Sequence, residues 1–125
     1  MERIELGNGN YKEIYYFDNR SYYSEETKIQ REQYYNSKDK LHRVDSPAVI
    51  WYYKSGEIEG EYYYINGKRH RLDGPAQIWY LESGEIEYKY YFINDIEYSK
   101  EKFYKHPEVI KIKNINRNLK LLNKK

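Results

Sequence analysis

The residues LHRVDSPAVIW at Leu41 to Trp51 return as RHRLDGPAQIW at Arg69 to Trp79. His42 and His70, Trp51 and Trp79, and Gly56 and Gly84 are each 28 positions apart. A fixed internal period constrains a fold more than local propensity does, because each copy must pack on the next. Between these anchors SGEIEGEYYYINGK at Ser55 to Lys68 matches SGEIEYKYYFINDI at Ser83 to Ile96. A worn copy lies upstream, where KIQREQYYNSKDKLHR aligns with EIEGEYYYINGKRHR if the loop before His42 is one residue longer. Earlier still, EIYYFDNRSYY reads as strand, Asp-Asn turn, strand. The expectation is a repeat domain over residues 1–98, with a degenerate copy at about 10–41 and clear copies at about 42–69 and 70–97.

Within a copy the period is two, the signature of strands. Ile58, Gly60, Tyr62 and Tyr64 fall on one side and Glu59, Glu61, Tyr63 and Ile65 on the other. The next copy divides in the same way, Ile86, Tyr88, Tyr90 and Phe92 against Glu87, Lys89, Tyr91 and Ile93. Pro47 opens a strand, where a missing N–H harms a ladder least. Ser55-Gly56 and Asn66-Gly67 supply residues that tolerate the positive φ of tight hairpin turns. The fold class that follows is mainly β, an elongated antiparallel sheet of stacked β-hairpin repeats. Aliphatic residues are few and Tyr occurs 18 times, so burial must come from rings with a polar tip.

After Tyr98 the pattern changes. Ser99 is a candidate helix N-cap and Pro107 a second helix start. Val109, Ile112, Ile115, Leu119 and Leu122 then recur at steps of three and four, giving residues 99–125 the pattern of a basic amphipathic helix. This helix is expected to lay its apolar stripe over the open end of the array as a cap. The formal charge of +2 is uneven, since Lys111, Lys113, Arg117, Lys120, Lys124 and Lys125 face no carboxylate within their segment and the body before them is mildly acidic. The chain has no cysteine, which leaves neither a disulfide framework nor a thiolate zinc site. MERIELGNGN has no apolar core of a leader, and no stretch is long and apolar enough to span a bilayer. These features suggest a soluble protein of a reducing, intracellular compartment.

LHRVDSPA, NGKRHRLDGPA and the Trp three residues after each Ala resemble the short His-Arg-x-Asp-Gly-Pro-Ala repeats of giant DNA viruses and of some bacterial and phage proteins. The Tyr-rich hairpin with its Asn-Gly-Lys turn is more distantly similar to membrane occupation and recognition nexus (MORN) repeats. The first likeness covers roughly residues 40–98. It implies a MORN-like sheet used for interaction or scaffolding, with a viral or phage origin, a cytoplasmic or host-intracellular location or a place in the virion, and no catalytic activity. Ser46 stands where the second copy has Gly74, and Asp95 where the first has Gly67, so the turns need not be identical.

The repeated motif comprises His42, Arg43, Asp45 and Pro47, then His70, Arg71, Asp73, Gly74 and Pro75. As a catalytic centre it lacks a recurring nucleophile, because Ser46 is matched by Gly74. The structural reading has the aspartates accept backbone N–H groups in a turn before the Pro, with the arginines as charge partners. Two His-x-x-Asp pairs are too few ligands for zinc or calcium, and Glu57, Glu59 and Glu61 hold no fixed geometry for glycoside hydrolysis, since Lys89 replaces Glu61 in the next copy. No catalytic, metal or cofactor site is expected. Trp51, Tyr53, Tyr63, Trp79 and Tyr91 are the candidate partner-binding residues, because Trp and Tyr dominate interaction hot spots. The partner expected is a protein; the alternatives are nucleic acid or another anionic surface at the basic helix, a second copy of the chain along the helix stripe, and a glycan on the aromatic face.

Overall fold

The computed structural model describes residues 1–18 and 27–124. The strands are β1 (Glu2–Gly7), β2 (Asn10–Tyr16), β3 (Ile29–Tyr35), β4 (Val49–Tyr52), β5 (Ile58–Tyr62), β6 (Tyr64–Ile65), β7 (Lys68–Arg69), β8 (Gln77–Tyr80), β9 (Ile86–Ile93) and β10 (Ile96–Tyr98), followed by helices α1 (Lys100–Lys105) and α2 (Pro107–Leu122). Eight strands form one antiparallel sheet in the order β1-β2-β3-β4-β5-β8-β9-β10, and β6 and β7 form a small separate hairpin. The mainly β expectation therefore holds, with the hairpins merged into one continuous sheet. The expected Asp-Asn turn after Asp18 and the strand beyond it lie outside the described residues.

The ladder bonds recur at the sequence period. Tyr34 N donates to Ala48 O and Tyr63 N to Ala76 O, while Ala48 N donates to Tyr62 O and Ala76 N to Tyr90 O. Where β4 meets β5 and where β8 meets β9, the register shifts between Trp51 and Tyr52 and between Trp79 and Tyr80, leaving Glu59 and Glu87 as extra residues. The same shift leaves Gln30 extra between β2 and β3. These bulges overturn the strict two-sided alternation expected for IEGEYYYI: Gly60 lies opposite Trp51, but Ile58 lies opposite Tyr52 and is 37 % exposed. An added residue inverts the side-chain direction from that point on.

At one end of the strands the turns form a column. Asn8, Asn66 and Asn94 take φ of 54, 50 and 49, each followed by a second positive-φ residue, Gly9, Gly67 or Asp95. Neighbouring turns are joined: Asn36 Nδ2 donates to Asn66 Oδ1, Gly67 N to Leu41 O and Asp95 N to Arg69 O. Asp95 in the left-handed region is held by Arg69, whose backbone N and Nε both donate to its Oδ1 at 2.8 and 3.1 Å. Those bonds hold the Asp95 carboxyl below its ordinary range, the backbone bond contributing most.

Among the described residues no second layer covers most of the sheet; the helices pack at its β9–β10 end. Ser99 caps α1, accepting from Lys102 N, and His106 with Pro107 opens α2, as the sequence suggested. Phe103 is fully buried against Tyr91, Ile93 and Val109. The expected cap thus consists of α1 and the first turn of α2. The remaining stripe does not cover the array: Ile115, Leu119 and Leu122 are 45, 53 and 63 % exposed.

Gly9 and Gly56 separate two costs. A Cβ on Gly9 would lie 2.8 Å from Ser37 Cβ at φ +80, whereas one on Gly56, at φ +93, meets nothing within 4 Å. Gly56→Ala should cost about 1 kcal/mol of backbone strain and Gly9→Ala about 1–2 kcal/mol more. Urea unfolding midpoints of the two variants measure the difference.

Candidate interaction site

Cross-strand partners place a row of planar groups on one face of the sheet. Tyr15 pairs with Arg31, Arg31 with Trp51, Trp51 with Gly60, Gly60 with Trp79 and Trp79 with Tyr88. Directly opposed residues share a face. The Arg31 guanidinium lies 3.8 Å from the Tyr15 ring centroid and 4.9 Å from that of Trp51, so one cation serves two rings. Gly60 leaves room for Tyr62, whose ring carbon Cζ and hydroxyl would sit 3.4 and 3.2 Å from a Cβ there. Tyr62 meets Trp79 edge-on at 5.4 Å. Nearer β1, Arg3 stacks on Tyr11 at 3.7 Å and Tyr11 on Tyr35 at 4.9 Å. The Tyr11 hydroxyl donates to Asp39, a bond that pushes its pKa up to about 12. Burial raises Tyr62 and Tyr52 as well, the latter to about 12.

The candidate partner residues divide among different environments. Trp51 and Trp79 sit half-buried in this row. Tyr53 is half-buried with its hydroxyl donated to Tyr80 O at 2.6 Å. Tyr63 lies beneath the Arg71 guanidinium at 4.0 Å. Tyr91 is 5 % exposed and its ring lies 4.7 Å from that of Phe103, so it belongs to the core and offers no surface to a partner. Its repeat equivalent Tyr63 is half-buried and lines a cleft instead of the helix-packed core, and the period alone could not distinguish them. The residues that sequence reasoning missed are Tyr15, Arg31 and Tyr62; the cross-strand register joins them to Trp51 and Trp79, and no spacing along the chain announces that.

The repeated motif builds corners. His42 Nδ1 accepts from Asn66 N at 3.0 Å and His70 Nδ1 from Asn94 N at 3.1 Å, so each histidine, at the start of its copy, fastens the turn at the far end of the same copy. Arg43 stacks on Tyr34 at 3.9 Å and donates to Pro47 O at 3.2 Å; Arg71 does the same with Tyr63 and with Pro75 O at 3.1 Å. Asp73 accepts from Arg71 Nε at 3.0 Å, a side-chain donor instead of the expected backbone N–H. In the first copy Asp45 takes φ 60, while a Cβ on Gly74 would lie 3.0 Å from Arg71 Cζ. Gly74 therefore makes room for the guanidinium. Ala48 and Ala76, behind the prolines, are fully buried.

Beyond its first turns the basic helix departs from expectation. A cleft of about 470 Å³ runs between α2 and the second corner, lined by Leu72, Asp73, Tyr104, Val109 and Ile112 together with Lys113, Arg117, Lys120 and Lys124. A second cleft of about 440 Å³ reaches from there to Arg43, Asp45 and Tyr63. Four cations line the cleft beside Val109 and Ile112, while Ile115, Leu119 and Leu122, the later part of the stripe, are exposed. Long basic side chains can cover apolar surface with their methylene stems. Lys125 lies outside the described residues. Among the described residues no group of three or more His, Asp or Glu could hold a metal ion, and no helix is long and apolar enough to cross a membrane.

Compared with protein-family models, with curated proteins and with solved structures, the chain finds no match.

The corner chemistry orders two substitutions. Asp73 is 59 % exposed and its ion pair is worth under about 1 kcal/mol, whereas Arg71→Ala removes a ring contact and a bond to a carbonyl and should cost about 2 kcal/mol or more. Chemical denaturation of Arg71→Ala and Asp73→Ala tests that ranking. Burial lowers the His70 pKa, so its contribution is fully present above the unfolded value of about 6.5 and is lost as pH falls through the folded value. The wild type should lose melting temperature between pH 7.5 and 5.5 by more than His70→Asn, measured by thermal unfolding.

Proposed function

We propose that the chain is a non-enzymatic interaction or scaffold module that docks a protein partner on the sheet face carrying Trp51, Tyr62 and Trp79. The observation that carries this reading is the row itself. Tyr15, Arg31, Trp51, Tyr62 and Trp79 are half-buried planar groups fixed by one another, and no element of the described chain packs over their strands. Rigid aromatic and guanidinium groups give binding energy with little side-chain entropy to lose. Use of both motif histidines as acceptors for turn N–H groups supports a structural role over a catalytic one. The resemblance to His-Arg-x-Asp-Gly-Pro-Ala repeats points the same way and favours a viral or phage setting, inside the host cell or in the virion.

A purified partner should bind Trp79→Ala at least about tenfold more weakly than wild type, with circular dichroism showing the fold retained. Equal affinity, measured by calorimetry, removes the sheet face from consideration. A second reading places an anionic ligand, nucleic acid included, in the α2 cleft, because Lys113, Arg117, Lys120 and Lys124 converge there against one carboxylate, Asp73. Its mark is an affinity that falls steeply with salt and is lost on Lys113→Glu and Arg117→Glu while Trp79→Ala leaves it intact.

A further inference from the structure

The last copy fills a place that the copy before it leaves open. Phe103 is buried among Tyr91, Ile93 and Val109, and Leu72 and Tyr98 pack against them. Counting back the period of 28 from Leu72, Tyr91, Ile93 and Tyr98 gives Val44, Tyr63, Ile65 and His70. All four line the second cleft. Its volume of about 440 Å³ lies in the ordinary range of ligand sites. The burial of the walls changes accordingly: Tyr91 and Ile93 are each 5 % exposed, whereas Val44 is 66 % exposed and Tyr63 and Ile65 are half-buried. The same corner and strand positions form a closed core where α1 supplies a ring and an open cleft where it does not. One difference accompanies this. Arg71 lies over Tyr63 at 4.0 Å, and 28 residues on stands Ser99, the cap from which α1 begins.

The open cleft adjoins the basic one. Leu72, Asp73, Ile112 and Asn116 line both, and beyond them Lys113, Arg117, Lys120 and Lys124 lie along the first. Lys113 and Lys120 are 7 residues apart on α2, about 10 Å along the helix and the reach of about three extended residues. An occupant that enters the open cleft and continues along α2 therefore needs an apolar group followed by negative charge. We propose that the second cleft takes a phenylalanine side chain from a segment of a partner protein, and that the residues next to it in that segment are acidic and lie along α2. The ring would hold against Val44, Tyr63 and Ile65 the place that Phe103 holds among their equivalents. It would share the Arg71 guanidinium with Tyr63, as Trp51 shares Arg31 with Tyr15. The acidic part rests on the anionic reading of the α2 cleft; the aromatic part does not. Nucleic acid fits less well, because phosphates continued into the second cleft would meet the carboxylates of Asp45 and Asp73.

Methyl NMR of the full chain tests this with three probes: the peptide acetyl-Phe-Glu-Glu-Glu-Glu-amide, the same peptide with Ala for Phe, and a short oligothymidylate. The Phe peptide should shift the Val44 and Ile65 methyls and bind about tenfold or more tightly than the Ala peptide. Val44→Asp, at an exposed position, should remove that difference, and Lys113→Glu should weaken both peptides while leaving it in place. Equal affinity of the two peptides, methyls unmoved at about 1 mM peptide, or a Phe preference that survives Val44→Asp overturns the proposal. If the peptides are equal and still weakened by Lys113→Glu, the anionic reading stands without the aromatic pocket; a Phe preference with affinities indifferent to Lys113→Glu leaves the pocket standing without that reading. Oligothymidylate that binds more tightly than the Phe peptide and shifts the same methyls gives the cleft to nucleic acid, and methyls that shift on concentrating the protein alone give it to a second copy. Either result overturns the proposal.

Discussion

A sheet with no second layer over most of its described residues must keep its shape without the face-to-face burial that stabilises a sandwich or barrel, and here lateral contact between side chains on the same face takes over that role. The arginine-ring and ring-ring contacts of the Tyr15–Trp79 row depend on neighbouring strands being held in register. That register is fixed at the corners, where His42 and His70 accept the first N–H of the following positive-φ turn. If the corner slipped by one residue, every ring on the strand would turn to the opposite face.

The other face repeats this logic with different chemistry. Glu2, Ile14, Glu32, Ile50, Glu61, Ile78 and Lys89 are successive cross-strand partners. Ile14, Ile50 and Ile78 are buried at 6, 9 and 7 % exposure. Tyr80 bridges the row by donating to Glu61; burial first, and then this bond, raises its pKa. Tyrosine suits such a sheet because its ring shields an aliphatic neighbour while its hydroxyl reaches a carboxylate or carbonyl.

Much of this was legible in the amino-acid sequence. The period located the hairpins, Asn66-Gly67 and Ser55-Gly56 identified turns, and Ser99 and Pro107 marked the helix starts. What failed has physical causes. Glu59 looks like any alternating strand residue, and a bulge becomes visible only when the partner strand is counted against it. Tyr91 and Tyr63 occupy the same place in the unit and differ only in what α1 lays above one of them. The α2 pattern shows that an apolar stripe and a basic side exist, but not which side meets Leu72 and Asp73. The aromatic row was half legible: its tryptophans announced themselves, while Arg31 looked like a surface charge until its neighbours were known.

The chain has 2 tryptophans, both stand in the same cross-strand row on either side of Gly60, and neither lines the clefts beside α2. Intrinsic emission from this protein is therefore a local signal. It reports whether the middle strands remain in register, with one indole already in contact with a guanidinium, and it is silent when the terminal helix frays. Unfolding followed by fluorescence and by helical ellipticity need not coincide, and a gap between them would measure how loosely α2 is coupled to the sheet.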